Sequence, residues 1–151
     1  MARSGETIVN AATGEEITWL RVDASTLEWE DVWTRPGHRA APHVHPGMEE
    51  RWQLIEGQAA FWIGDDDQER LLDPGDEIVA PPGIAHAAWN PTDAPVRLHV
   101  TMTPPLRWAE VVEKLFDYAR DGRTDEKGTP DRELLIALLR DYAAELAPPP
   151  S

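Results

Sequence analysis

The sequence predicts an all-β barrel or sandwich followed by two helices, and three observations carry the prediction. Between Glu6 and about Met102, short runs of alternating apolar and polar residues are cut by Gly, Pro, Asp and Asn, the pattern of strands that bury one face. After Pro104-Pro105 the apolar repeat changes to helical spacing. The 151 residues are one domain's worth of chain, enough to bury a core without disulfides or a structural metal.

Taken in order, the candidate strands are EITWLRV, TLEWEDVWT, HVH, ERWQLIE, AAFWIG, DEIVA, HAAWN and VRLHVTM. Turn residues separate them at Ala12-Thr13-Gly14, Pro46-Gly47, Gly64 to Asp67, Asp73-Pro74-Gly75, Pro81-Pro82-Gly83 and Pro91-Thr92-Asp93, where Gly supplies positive φ and Pro a fixed one. In the tail, Trp108, Val111, Val112, Leu115 and Ala119 predict a first helix closed by Gly122. Thr129 as N-cap and Pro130 at the first helical position announce a second, with Leu134, Leu135, Leu138, Leu139, Tyr142 and Leu146 as one apolar stripe. The organisation expected is a β domain over 1–104, a helical extension over 105–147 and a disordered tail over 148–151. The stripe needs a cover, either the outer face of the chain's own barrel or a second subunit, and with exposed sheet edges it predicts a homodimer.

Composition excludes several function classes. With 14 basic against 28 acidic residues the formal charge is −14, which repels a phosphate backbone and an anionic bilayer, so neither nucleic acid nor membrane is an expected partner. There is no cysteine, hence no thiolate ligand or cysteine nucleophile. No signal peptide or membrane-length apolar run is visible, and a cytoplasmic location is expected. Seven tryptophans against two phenylalanines and two tyrosines leave indoles to supply most aromatic packing. No Walker or G-x-G-x-x-G loop and no nucleophile elbow occurs. Asp65 to Asp67 lack the rest of a calcium loop and read as a hairpin tip.

The chemistry concentrates in two stretches, Gly37 to Gly57 and Gly75 to Asn90. In an extended strand His43 and His45 project to one side, about 6.6 Å apart along the backbone. The chain turns at Pro46-Gly47 and returns with Glu50 able to face the same interior, and His86 after Pro81-Pro82-Gly83 completes a set of three imidazoles and one carboxylate. Parity separates Glu50 from its neighbour Glu49, because Glu50, Trp52 and Leu54 share one face while Glu49, Arg51 and Gln53 share the other. Burying such a set without a cation would cost several kcal/mol of desolvation. His38 and His99 hold no comparable position and read as surface or structural histidines, with Glu49 free to pair with Arg51 or His38.

The spacing G-x5-H-x-H-x4-E-x6-G followed by G-x5-P-x-G-x2-H-x3-N is met by Gly37, His43, His45, Glu50, Gly57, Gly75, Pro81, Gly83, His86 and Asn90, and it resembles the paired motif of the cupin superfamily. GEEI, HPGMEERW, FDYARDG and KGTPDRELL are similar to bacterial single-domain cupins with a helical C-terminal extension. The resemblance implies a double-stranded β-helix, or jelly-roll barrel, with two C-terminal α-helices, and a metal at His43, His45, Glu50 and His86.

Nitrogen and oxygen donors without sulfur suit one divalent transition ion, Fe, Mn, Ni, Co, Cu or Zn, with one or two positions left open. Trp52, Leu54 and Ala88 are the expected pocket residues, and of Phe61 and Trp62 only one can face inward. Gly57, Gly75 and Gly83 read as turn glycines. The sequence assigns no catalytic side chain. Two functions compete: a mononuclear metalloenzyme acting on a small organic molecule, of oxygenase type or a Lewis-acid isomerase, cyclase or decarboxylase, and a non-catalytic metal-dependent module that binds or senses a small ligand.

Overall fold

In a computed structural model of the chain, residues 1–37, 39–64 and 68–150 are described. His38, the predicted hairpin tip at Asp65 to Asp67 and Ser151 lie outside the described residues. Ten strands, β1 (Thr7–Val9), β2 (Glu16–Val22), β3 (Leu27–Trp33), β4 (Arg39–His43), β5 (Glu49–Glu56), β6 (Ala59–Ile63), β7 (Arg70–Leu72), β8 (Glu77–Ala80), β9 (His86–Trp89) and β10 (Val96–Thr103), precede two helices, α1 (Trp108–Arg120) and α2 (Arg132–Asp141). The strands form two antiparallel sheets, one of six in the order β1-β2-β3-β10-β5-β8 and one of four in the order β4-β9-β6-β7. Facing each other across one core, they make the jelly-roll barrel of a double-stranded β-helix.

Period-2 alternation decides which side chains reach that core. On β3 the residues Leu27, Trp29, Asp31 and Trp33 are buried while Glu28, Glu30 and Val32 between them are only half-buried. β10 repeats the pattern with Val96, Leu98, Val100 and Met102 fully buried. The outer face of the large sheet carries ion pairs instead: Arg97 with Glu30, Arg51 with Glu77, and His99 Nε2 3.2 Å from Glu28 Oε1. His99 is thus a surface partner, and each exposed pair adds little to stability. Phe61 is fully buried against Trp52, ring centroids 5.0 Å apart, and Trp62 is only half-buried. Gly57, Gly75 and Gly83 all have positive φ. At Gly57 a Cβ would also stand 2.5 Å from the Pro95 carbonyl oxygen, so only glycine lets β5 turn into β6 there.

The predicted HVH strand is corrected. β4 ends at His43, Val44 forms an isolated bridge with Ala147, and His45 lies beyond the strand. Gly83 N–H donates to the His45 carbonyl oxygen at 2.9 Å, so the backbone there is held by loops rather than by a ladder. Three short or unsignalled strands, β1, the start of β4 and β7, have too few alternating residues to show in the sequence.

The helical tail also departs from expectation. α1 starts at Trp108 and stops at Arg120, with Gly122 at φ 72° just past its cap, the left-handed position that ends a helix. α2 begins at Arg132, not Pro130; Asp131 is its N-cap, and Pro130 instead bridges to Thr124. Asp131 is held by its own N–H to the Arg123 carbonyl at 2.9 Å and by its carboxylate to Arg123 Nε, which delays the helix by two residues. Trp108, Val111, Val112, Phe116, Leu138 and Tyr142 join the barrel's core cluster. Leu135 and Leu139 line a cavity between tail and barrel. The stripe is thus turned toward the chain's own barrel, with Leu138 and Tyr142 buried and Leu134, Leu135, Leu139 and Leu146 half-buried. Ala147, the last residue of the expected helical extension, is paired with Val44 by two hydrogen bonds of 2.9 Å.

Candidate metal centre

Four elements converge at one end of the barrel. His43 closes β4 and lies directly across the ladder from His86, the first residue of β9. His45 follows on the loop, and Glu50 comes from β5 in the opposite sheet. One ligand atom from each of His43, His45, Glu50 and His86 falls within 4.8 Å of the others. The imidazole centroids are 4.8 Å apart for His43–His45, 4.5 Å for His43–His86 and 5.0 Å for His45–His86. His45, Glu50 and His86 are buried and His43 partly so.

Each imidazole is oriented by a backbone acceptor. Nδ1 of His43 lies 2.7 Å from Ala41 O, that of His45 2.9 Å from Glu145 O, and that of His86 3.2 Å from Ile84 O. An Nδ1–H donated to each carbonyl leaves Nε2 as the free donor of a lone pair, the tautomer that metal ligation requires. Two of these acceptors are two residues from the histidine they hold. The third is 100 residues away in the tail, and nothing in the motif announces it.

The electrostatics fit a bound cation. His45 Nε2 is 3.0 Å and His86 Nε2 3.3 Å from Glu50 Oε1, and the buried His86 Nε2 makes no hydrogen bond. Burial together with the neighbouring His86 and His45 pushes His43 down to about 4. Burial opposes ionisation of Glu50, yet the His45 and His86 imidazoles outweigh it and hold the carboxyl below its usual range. Burial likewise opposes a charged His45, but its bond to Glu50 raises it. A divalent ion among three Nε2 atoms and one carboxylate would satisfy the orphaned nitrogen and the buried charge together, and the donor set therefore fits a metal. Glu49 points away, exposed beside Arg51.

Above the ligands lies a cavity of about 360 Å³ whose lining includes His43, Glu50, His86, Trp52, Ala88 and Trp108. Trp52 is 5.3 Å from the His86 ring, and Trp108 of α1 meets His45 edge-on at 4.6 Å. Leu54 shares the face of Trp52 but is fully buried in the core and does not line the cavity, a correction to the expected pocket. One step further along β5 the barrel is simply filled.

Sequence reasoning missed six contributors. Arg107 clamps the tail through Glu145, its Nη2 2.8 Å from Oε1, and Glu145 is 2% exposed. Trp29, Asp31 and Trp33 bring the inward face of β3 to the far wall, where Glu15 joins them. Asp31 is 7% exposed; Trp29 Nε1 donates to its Oδ2 at 3.3 Å, and no donor reaches its Oδ1. Burial and the charge of Glu15 push Asp31 well above the usual carboxylate range.

Comparison with known proteins places this geometry. The cupin domain family matches residues 33–102, the segment that holds all four ligands. An RmlC-like cupin from Shewanella frigidimarina is 20% identical with a TM-score of 0.57 over 69% of this chain and 87% of that one. A double-stranded β-helix protein from Klebsiella pneumoniae is 25% identical, TM-score 0.52, over 69% and 82%. A predicted oxalate decarboxylase from Thermotoga maritima is 18% identical, TM-score 0.55, over 66% and 91%. No curated protein matches the chain. Among the described residues no helix is long and apolar enough to cross a membrane.

Proposed function

We propose that this chain, which belongs to the cupin superfamily through residues 33–102, is a mononuclear metalloenzyme acting on a small organic molecule. One observation carries the reading: the His43, His45, Glu50 and His86 set lies beside an aromatic-walled cavity of about 360 Å³, a size suited to a small ligand. These four residues would hold one divalent transition ion. Such an ion supplies Lewis-acid polarisation or dioxygen activation to a ligand in its open positions.

The chain's own residues do the rest. Ala41, Ile84 and Glu145 fix the imidazoles through their carbonyls. Ala88 leaves room beside His86, while Trp52 and Trp108 wall the cavity beside the ligands. The test is elemental analysis of the purified protein coupled to oxygen consumption after anaerobic reconstitution with Fe(II). Iron with substrate-triggered uptake selects the oxygenase branch, and a stable ion without uptake selects Lewis-acid chemistry. Absence of any stoichiometric metal, before and after reconstitution, refutes the proposal.

A further inference from the structure

The cavity has a second pole. Across from the four ligands, β3 presents Asp31 between Trp29 and Trp33, all three lining the cavity, with Glu15 of the preceding segment alongside. Asp31 is more than nine-tenths buried, and its Oδ1 is reached by no hydrogen-bond donor. Two carboxyls face each other here, and even with one proton shared between them they stay net negative and short of donors, a state that native structures tolerate where something else completes it. Asp31 is not one of the four ligands, and of these Glu50 adds repulsion to it rather than a donor.

Charge narrows what completes it. Among the described residues the lining holds three carboxyl groups, Glu15, Asp31 and Glu50, against one basic chain, Lys127. Glu50 is accounted for by the metal set, and Asp31 and Glu15 are left with an excess of acceptors. An anionic or purely acceptor group would be repelled there, while a protonated amine supplies both the missing N–H donor and the countercharge. Trp29 and Trp33 flank Asp31 in the lining and supply aromatic surface beside the carboxyl pair.

We propose that Asp31, assisted by Glu15, is a recognition site for a protonated amine, so that the ligand of this cavity is a small molecule with an ammonium group at one end and a metal-binding oxygen at the other. The proposal rests on reading the cavity as the ligand chamber. Asp31 is assigned to binding and orientation, with no bond made or broken at it.

The test uses the intact chain, both metal-stripped and Zn(II)-loaded, titrated with benzylamine and with its neutral analogue benzyl alcohol while tryptophan fluorescence is followed. Benzylamine is expected to bind at least tenfold more tightly than the alcohol in both forms. Asp31→Asn is expected to abolish that preference without lowering the melting temperature, because it removes an unpartnered buried carboxyl. Glu15→Gln, at a half-buried position, is expected to reduce the preference and serves if Asp31→Asn does not fold. Equal affinities, no benzylamine binding at millimolar concentration, or a preference that survives both substitutions overturns the proposal. So does a preference lost only in Glu50→Gln, which would place the amine at the metal ligands. An amine preference in a protein that never takes up metal would instead sink the metalloenzyme reading and leave this site standing.

Discussion

The C-terminal strap is the part of the site that lies outside the cupin match, and removing it tests whether the tail belongs to the metal centre. Truncation after Ala144 deletes the Glu145 carbonyl that holds His45 Nδ1 at 2.9 Å and the two Val44–Ala147 hydrogen bonds of 2.9 Å. At a net ~0.5–1.5 kcal/mol each, these three bonds alone amount to ~1.5–4.5 kcal/mol, before the loss of the Arg107–Glu145 pair is added. For a domain of this size that lowers the melting temperature by roughly 3–18 °C. His45 also loses its orienting acceptor, which should weaken metal binding by roughly 10–100-fold. The assay is competition against a chromophoric chelator, with circular dichroism to confirm the fold. Glu145→Gln is the control: it keeps the carbonyl and changes only the carboxylate facing Arg107, so metal affinity should stay within a few-fold of the parent. A folded truncation with unchanged metal affinity refutes the reasoning, since His45 would then be held by its own loop.

Three further outcomes are expected. His43→Ala, His45→Ala and His86→Ala should each cost at least tenfold in metal affinity while circular dichroism still reports a β protein, whereas Glu50→Gln should weaken binding and Glu49→Gln, exposed beside Arg51, should not; equal occupancy across the histidine variants argues against the ligand set. Ala88→Phe should block probe binding in the cavity and spare metal content; a loss of ~1–3 kcal/mol in melts of both metal-bound and metal-free protein would mean overpacking of a filled core instead. Homodimerisation now rests on the exposed sheet edges alone, because the leucine stripe is spent on the chain's own barrel. Light scattering should return a dimer mass, and a monomer mass ends that idea.

What the sequence made legible was whatever repeats with a period or sits at a fixed spacing. The alternation on β3, β5 and β10 gave both strand and facing, so Glu50 and Trp52 could be turned inward by parity alone. Applied to β3, the same parity puts Asp31 on the inward face between Trp29 and Trp33, an inference absent from the sequence-based expectations. A carboxylate in that phase is a signal available to any reader of EWEDVW, and it is the one that leads to the second pole. Leu54 shows the limit of parity, which tells inside from outside but not how far along the strand a cavity ends.

The rest was not legible for a definite physical reason. The acceptor of His45 is a backbone carbonyl, which every residue possesses, so Glu145 has no side-chain signature in that role and its contact spans 100 positions. The same holds for the Val44–Ala147 bridge, which depends on how the tail returns after α2 and not on which residues meet. Capping by Asp131 in place of Thr129 was settled by Arg123, a partner from the preceding loop. The motif thus defines the floor of the cavity and tertiary return of the chain defines its roof. Since Trp108, Leu135, Leu139 and Leu146 of that roof line the same space as the ligands, residues outside the matched segment share in shaping the cavity. Chains that share these four metal ligands but differ in this tail should therefore bind similar ions and different molecules.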